Sequence, residues 1–214
     1  MDILALNKIT YGLFVLTAWD DKEKVNGCIV NTLMQVTVSP NSVALAVNKQ
    51  NLTHDMIMNG KEFCASVISE KADFSIFQRF GMQSGRDVDK FDGYENVAKD
   101  SEGGIYVTEN TNAYIHGKVI NTVDLGTHTM FIAQIVDANI LSDDTSMTYS
   151  YYHEHVKPKP VIEKAKQDEN NEEAPAGKWV CKICGYVHEG EELSEDFICP
   201  WCKHPASDFE YVTV

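Results

Sequence analysis

QVTVSPNSVALAVN, residues 35–48, decides how the chain folds. Two short runs rich in Val and small apolar residues flank Ser39-Pro40-Asn41, a cluster of turn formers. Pro lacks an amide donor and fixes its own backbone angle, so it punctuates strands rather than continuing them. The same alternation recurs outward in both directions: LFVLTAW (13–19), CIVN (28–31), FCASVI (63–68), AYIHGKVI (113–120) and MFIAQIV (130–136). Asn, Asp, Gly and Pro separate these runs, as turns between strands require. Residues 1–152 therefore read as mainly β. The spacing favours a barrel over a sandwich or an α/β sheet, although periodicity alone does not choose among them.

Two helices are expected inside the β run. THDMIMNG (53–60) offers Thr53 as N-cap and Gly60 as stop, and KADFSIFQRFG (71–81) places Phe74, Phe77 and Phe80 three apart before Gly81. An aromatic stripe at that spacing is core packing. Cys28 and Cys64 sit in apolar runs and read as buried, reduced thiols.

The chain has 214 residues and a net charge of −14, from 18 basic and 32 acidic side chains. Such a surface repels phosphate backbones, so nucleic acid is excluded as a partner and proteins with basic patches are favoured. No apolar run reaches the roughly 18 residues a membrane span needs. YGLFVLTAW (11–19) is too short and has no cleavage-like ending, so neither a membrane nor a signal peptide is expected, and the compartment expected is the cytoplasm.

From residue 153 to 178 the composition changes. KPKPVIEKAKQDENNEEAPAGK has three prolines, many charges and almost no large apolar residue, so it cannot bury enough surface to fold alone. It reads as a linker, with a root-mean-square reach of roughly 25–30 Å. The remainder, 179–214, is a second, small domain.

That tail carries CKIC (181–184) and CPWC (199–202). Two CxxC pairs let four thiolates converge on one tetrahedral metal, so Cys181, Cys184, Cys199 and Cys202 are the expected ligands. Sulfur-four sites accept both iron and zinc. With four thiolates present, His188 and His204 are expected near the site but not on the metal. CGY after the first pair, CP at the second, and Trp179, Phe209 and Tyr211 around them resemble rubredoxin, which implies a single redox-active Fe(Cys)4. The insert between the pairs is shorter than in free-standing rubredoxins, and Lys203 replaces the usual Gly. Both departures resemble the rubredoxin-like tail of rubrerythrins.

Residues 3–152 resemble the flavin reductase-like family, FMN-binding split β-barrels that usually act as homodimers. With the tail included, the whole chain resembles the high-molecular-weight rubredoxins. The resemblance assigns residues to FMN. In NGCIVNTLMQVTVSP (26–40), Asn31, Thr32 and the stretch Gln35, Val36 and Thr37 are placed along the isoalloxazine edge and ribityl chain. In ALAVNKQNLTHDMI (44–57), Asn48, Lys49 and Thr53 lie at a strand end and helix start, where unpaired amides and a cation suit a phosphate. RFGMQSGRDVDKFDG (79–93) supplies Arg86 and Lys90, and VDLGTHTMFIAQIVDA (123–138) places His128 at the flavin face, where it would bond the flavin or position the dinucleotide. Tyr151 and Tyr152 are candidates for stacking on the ring, whereas His54 and His116 read as structural.

The function this implies is an NADH- or NADPH-dependent oxidoreductase: FMN takes a hydride, passes single electrons to the iron, and the iron reduces a flavodiiron protein that removes nitric oxide or oxygen. Two alternatives remain open. One is a flavin reductase that releases its reduced flavin; the other is a flavin-binding barrel whose tail is a non-redox zinc ribbon used for interaction.

Overall fold

The computed structural model of the chain describes residues 8–22, 24–158, 177–182, 186–188, 192–199 and 205–212. It separates into two compact units, Met1–Val156 and Lys157–Val214. Most of the predicted linker, and with it Cys184 and Cys202, lies outside the described residues.

In the first unit seven strands form one antiparallel sheet: β1 (Phe14–Trp19), β2 (Val25–Val30), β3 (Met34–Val38), β4 (Asn41–Asn48), β5 (Glu62–Ile68), β8 (Thr111–Asp124) and β9 (His128–Ile140). Their order across the sheet is β2-β1-β5-β8-β9-β4-β3. The edge strands β2 and β3 are consecutive in sequence, joined only by residues 31–33. Four residue steps reach at most about 14 Å. A flat seven-stranded sheet would hold its edges about 29 Å apart. The sheet must therefore curl until its edges nearly meet, which makes it a barrel left split between β2 and β3. A short ribbon, β6 (Val97–Lys99) with β7 (Ile105–Val107), packs beside it.

Alternation along the strands builds two cores. One fills the barrel with Leu16, Val43, Leu45, Phe63, Ala65, Phe131 and Ala133, closed by Ile57 and Met56 of α1 (Leu52–Gly60). The other lies under α2 (Phe74–Gly81) and joins Leu13, Val15, Ile68, Phe77, Phe80, Met147 and Tyr152. Phe77 and Phe80 are thus core residues, and Asp73 caps α2 by accepting the Ser75 amide at 2.8 Å. Cys28 and Cys64 are both buried. After β9 the chain forms a helical turn, α3 (Tyr149–Tyr151), running into a wide turn at Tyr152–Val156.

The helix limits differ from those the sequence suggests. Asn51, not Thr53, is the N-cap of α1, and Lys61, at φ 60°, ends it in place of Gly60. Thr53 is drawn inside, where its hydroxyl accepts the Asn26 side-chain amide at 2.8 Å. A buried donor needing an acceptor outweighs the local capping preference.

The second unit is a three-stranded sheet in which β10 (Lys178–Cys181) pairs with β11 (Val187–His188) and β12 (Phe209–Val212). Trp179 packs on Tyr211 with ring centroids 5.2 Å apart, and Phe197 packs on Phe209 at 5.4 Å. Of these rings Phe209 is buried, and it joins Val180, Cys181 and Cys199 as the buried apolar residues described in this unit.

Candidate functional site

The end of β4 opens into α1 and lies beside the start of β9. Asn48 pairs in register with His128, and the Lys49 amide donates to the Thr127 carbonyl at 3.0 Å. The Asn48 carboxamide oxygen accepts the Gln50 amide at 2.9 Å, which shapes the turn into the helix. Asn51 gives α1 no side-chain cap; its carbonyl takes the His54 amide at 3.1 Å, and the positive end of the helix carries no side-chain acceptor from the cap. Two cations flank this terminus. Lys49 Nζ pairs with Asp124 at 2.6 Å, and Arg86 donates to Asp55 at 2.6 Å and to the Gln50 carbonyl at 3.4 Å. The Arg86 guanidinium, with the His54 ring second, holds the Asp55 carboxyl below its ordinary value. Lys49 does the same for Asp124.

Thr32 lies across β4 from this point. Its hydroxyl donates to the Ala46 carbonyl at 2.7 Å, and Asn31 beside it is half-buried. His128 is half-buried, with Nδ1 2.8 Å from the Thr127 hydroxyl. The structure thus gathers Asn31, Thr32, Asn48, Lys49, Arg86 and His128 around one end of β4. Gln35, Val36 and Thr37 run away from it along the exposed edge strand β3, where Gln35 leans on Asn41 and the Thr37 hydroxyl donates to the Pro40 carbonyl.

Three expected contacts point elsewhere. The Lys90 side chain turns inward, only 4% exposed, and its ammonium donates to the carbonyls of Gly27 at 2.9 Å and Phe80 at 3.0 Å. Burial lowers its pKa. It braces the 84–94 loop against β2 and α2 instead of presenting a charge to a ligand. Tyr152 is buried against Phe77, centroids 4.3 Å apart, and belongs to the core under α2. Thr53, as described, bonds inward to Asn26.

Replacing Lys90 with Ala strands two carbonyls in a dry place. It should destabilise the first unit by roughly 1–3 kcal/mol. Flavin affinity at the β4 end should stay unchanged, which titration beside a denaturation curve measures; weaker flavin binding at unchanged stability would restore Lys90 as a contact.

The sequence reading also missed a relay. His54 Nε2 lies 2.9 Å from the Thr129 hydroxyl, and its Nδ1 lies 3.0 Å from Asp55, which in turn holds Arg86. This chain ties α1 to the start of β9, next to His128. THD at a helix start was the available signal; its partner, 75 residues away, was not.

In the second unit Cys181 and Cys199 are both buried. The Cys181 amide donates to the Tyr186 carbonyl at 2.8 Å, which closes the chain around 181–186. An isolated bridge between Ile198 and Pro205 closes it around 199–204. Each closure brackets one CxxC pair, and two buried thiols suit a sulfur-coordinated metal. His188 is half-buried against Phe197, centroids 4.6 Å apart; His204 lies outside the described residues. Among the described residues no helix is long and apolar enough to cross a membrane.

Comparison with known proteins agrees with this division. Residues 6–159 match the flavin reductase like domain family, and residues 179–210 match the rubrerythrin, rubredoxin-like domain. A high molecular weight rubredoxin of Moorella thermoacetica is 37% identical, with 99% of this chain and all of that protein covered. A ferric-chelate reductase (NAD(P)H) of Archaeoglobus fulgidus is also 37% identical, over 72% of this chain and 89% of its own length. Among solved structures, the Streptomyces globisporus C-1027 NADH:FAD oxidoreductase SgcE6 superposes with a TM-score of 0.60 at 20% identity, over 67% of this chain and 84% of that one, a likeness of fold. The chain belongs to the flavin reductase like family, as a member that carries a rubredoxin-like domain after the barrel, the arrangement of the high molecular weight rubredoxins.

Proposed function

We propose that the chain is an NAD(P)H-dependent oxidoreductase that holds FMN at the β4 end of the barrel and one iron among Cys181, Cys184, Cys199 and Cys202. When bound, the flavin accepts a hydride and releases electrons singly, and a sulfur-coordinated iron accepts them one at a time. The observation that carries the reading is the uncapped N-terminus of α1 flanked by Lys49 and Arg86 in a protein of net charge −14. A phosphate there meets converging amides and two cations. Both cations are held by carboxylates, so an anion must displace Asp124 and Asp55 as their partners. Asn31 and Thr32 would then border the ring, and His128, its Nδ1 held by Thr127, would stand at the opposite border to bond flavin or dinucleotide.

Cys181 and Cys199 are buried, so the four cysteines would hold the iron away from bulk water, and the metal would supply a one-electron store. The charged stretch after Val156 serves as a tether that keeps this domain at high local concentration around the barrel. The acidic surface suits a docking partner with a basic face, and by family resemblance that acceptor is a flavodiiron protein acting on nitric oxide or oxygen, in the cytoplasm. Met34, Val36 and Val38 on the edge strand, with Ile120 and Val123 on β8, are exposed apolar side chains that a second copy would cover, making a homodimer.

The test is spectroscopic. The purified full chain, mixed with NADH under argon, should lose flavin absorption first and ferric sulfur absorption second. A yellow protein holding zinc, or iron that stays ferric while the flavin bleaches, would overturn the reading. The phosphate site has its own test: Lys49→Met should weaken FMN binding about tenfold, the equivalent of one lost charge-assisted bond. Asp124→Asn, which frees the same ammonium, should tighten it. Equal affinity in both variants would move the phosphate elsewhere.

A further inference from the structure

We propose that Cys64, Asp100 and His116 form a site for a zinc-class divalent transition metal inside the barrel unit, separate from the flavin end and from the tail cysteines. Cys64 on β5 and His116 on β8 are register partners on adjacent strands. Asp100 reaches them from the turn between β6 and β7. That turn is tight: Asp100 Oδ1 accepts the amides of Glu102 at 2.9 Å and Gly104 at 2.7 Å, and its second oxygen is left for His116 Nδ1 at 2.8 Å. The side chains of Asp100 and His116 are fully buried, and so is Cys64. One sulfur, one nitrogen and one oxygen donor lie within 4.8 Å of one another.

Gly104 lets the donors gather. Any side chain there would collide with all three, because a Cβ built on it would lie 2.4 Å from His116 Nδ1, 2.5 Å from Asp100 Oδ2 and 2.7 Å from Cys64 Sγ. Zinc-class ions bind such donors at about 2.0–2.3 Å, so small side-chain shifts let the three share one ion.

The other ring nitrogen supplies the second argument. Nδ1 is paired with Asp100, whereas Nε2 is buried without a hydrogen-bond partner. A Glu62 carboxylate oxygen stands 3.4 Å from it, and Lys118 Nζ stands 3.6 Å from the other Glu62 oxygen. A buried ring nitrogen left without a bond is a poor arrangement for a plain structural His–Asp brace. A metal on Nδ1 moves the ring proton to Nε2, where Glu62 takes it, and this carboxylate–histidine–metal chain is the usual outer support of such ions. The Cys64 thiol gives up one proton, so a dication with one thiolate, one carboxylate and a neutral imidazole leaves the buried set uncharged. Burial and the carboxylates of Asp100, Asp137 and Glu62 push the thiol up, and a dication held by the three donors is the counter-charge that offsets them. The Trp19 ring, edge-on to the imidazole at 5.6 Å, shields one side.

The experiment uses the full chain with Cys181→Ser and Cys199→Ser, so that the tail no longer binds metal. Dialysed against cobalt(II) and freed of excess, it should retain about one cobalt per chain, with the near-ultraviolet absorption of a thiolate–cobalt bond. Adding Cys64→Ala, which leaves the His116–Asp100 bond in place, should remove the absorption and at least nine-tenths of the cobalt; adding Cys28→Ala instead should change neither. Asp100→Asn is the second variant should Cys64→Ala fold poorly, and zinc should raise the thermal midpoint of the parent chain but not of either variant. Absence of cobalt from the parent, or cobalt and zinc effects unchanged by Cys64→Ala and Asp100→Asn, would overturn the proposal.

Discussion

Serine in place of Cys181 should leave the full chain without iron in its tail while NADH still reduces the flavin at the unmutated rate. Cys181 ends β10 with its side chain buried, and its amide is committed to the Tyr186 carbonyl. The backbone therefore holds this position inward whatever the side chain is. A hydroxyl is a far weaker donor to iron than a thiolate and keeps its proton at neutral pH, so a sulfur-four site loses one of four bonds and the charge that goes with it. The first unit is compact by itself, so its reaction with NADH should not register the change. Iron per chain by elemental analysis and stopped-flow absorption of flavin separate the two effects. Full iron content in the variant, or a parallel loss of flavin reduction, would contradict the division of labour between the units. Cys199→Ser should behave alike, because Cys199 is equally buried in the second bracketed loop.

Phe131→Ala should cost the first unit about 3–5 kcal/mol. Phe131 has no exposed surface, sits on β9 at the centre of the barrel core, and packs on the His54 ring with centroids 5.6 Å apart. Its neighbours Leu45, Phe63 and Ala133 belong to strands locked by register on both sides, so the hole cannot close by collapse. Against a total stability of about 5–15 kcal/mol that is a large share, and the thermal midpoint should fall by roughly 10 °C or more. Ile140→Ala, on an exposed side chain of the same strand, should stay within about 0.5 kcal/mol. Denaturation followed by tryptophan fluorescence reads both, and the iron absorption of the tail reports whether the second unit unfolds separately. Equal midpoints for the two variants would mean that the barrel core does not carry the stability of this unit.

Much of the fold is legible in the sequence. Residues 35–48 became β3 and β4 because Val-rich runs around a Ser-Pro-Asn turn leave the backbone few other choices, and the Phe77 and Phe80 stripe became the buried face of α2. Helix ends were less legible. Thr53 has the chemistry of a cap, yet Asn26, 27 residues earlier, offers it a buried partner that a capping rule does not see. Lys90 shows the same limit. Its charge in an acidic chain suggested a ligand, but a long side chain can turn either way, and here two backbone carbonyls take it inward. His116 is the sharpest case: in sequence it is a lone histidine in a strand, and in the fold it has Asp100 on one nitrogen and Glu62 near the other.

Composition and spacing alone fixed the two-part plan, the strand-rich first part, the charged stretch behind it and the four-thiol set of the tail, because each depends on neighbours along the chain. Which donors come together depended on β5 pairing with β8 and on a turn at residues 100–104. Contacts across the barrel obey register and curvature, and no local property of the chain encodes those.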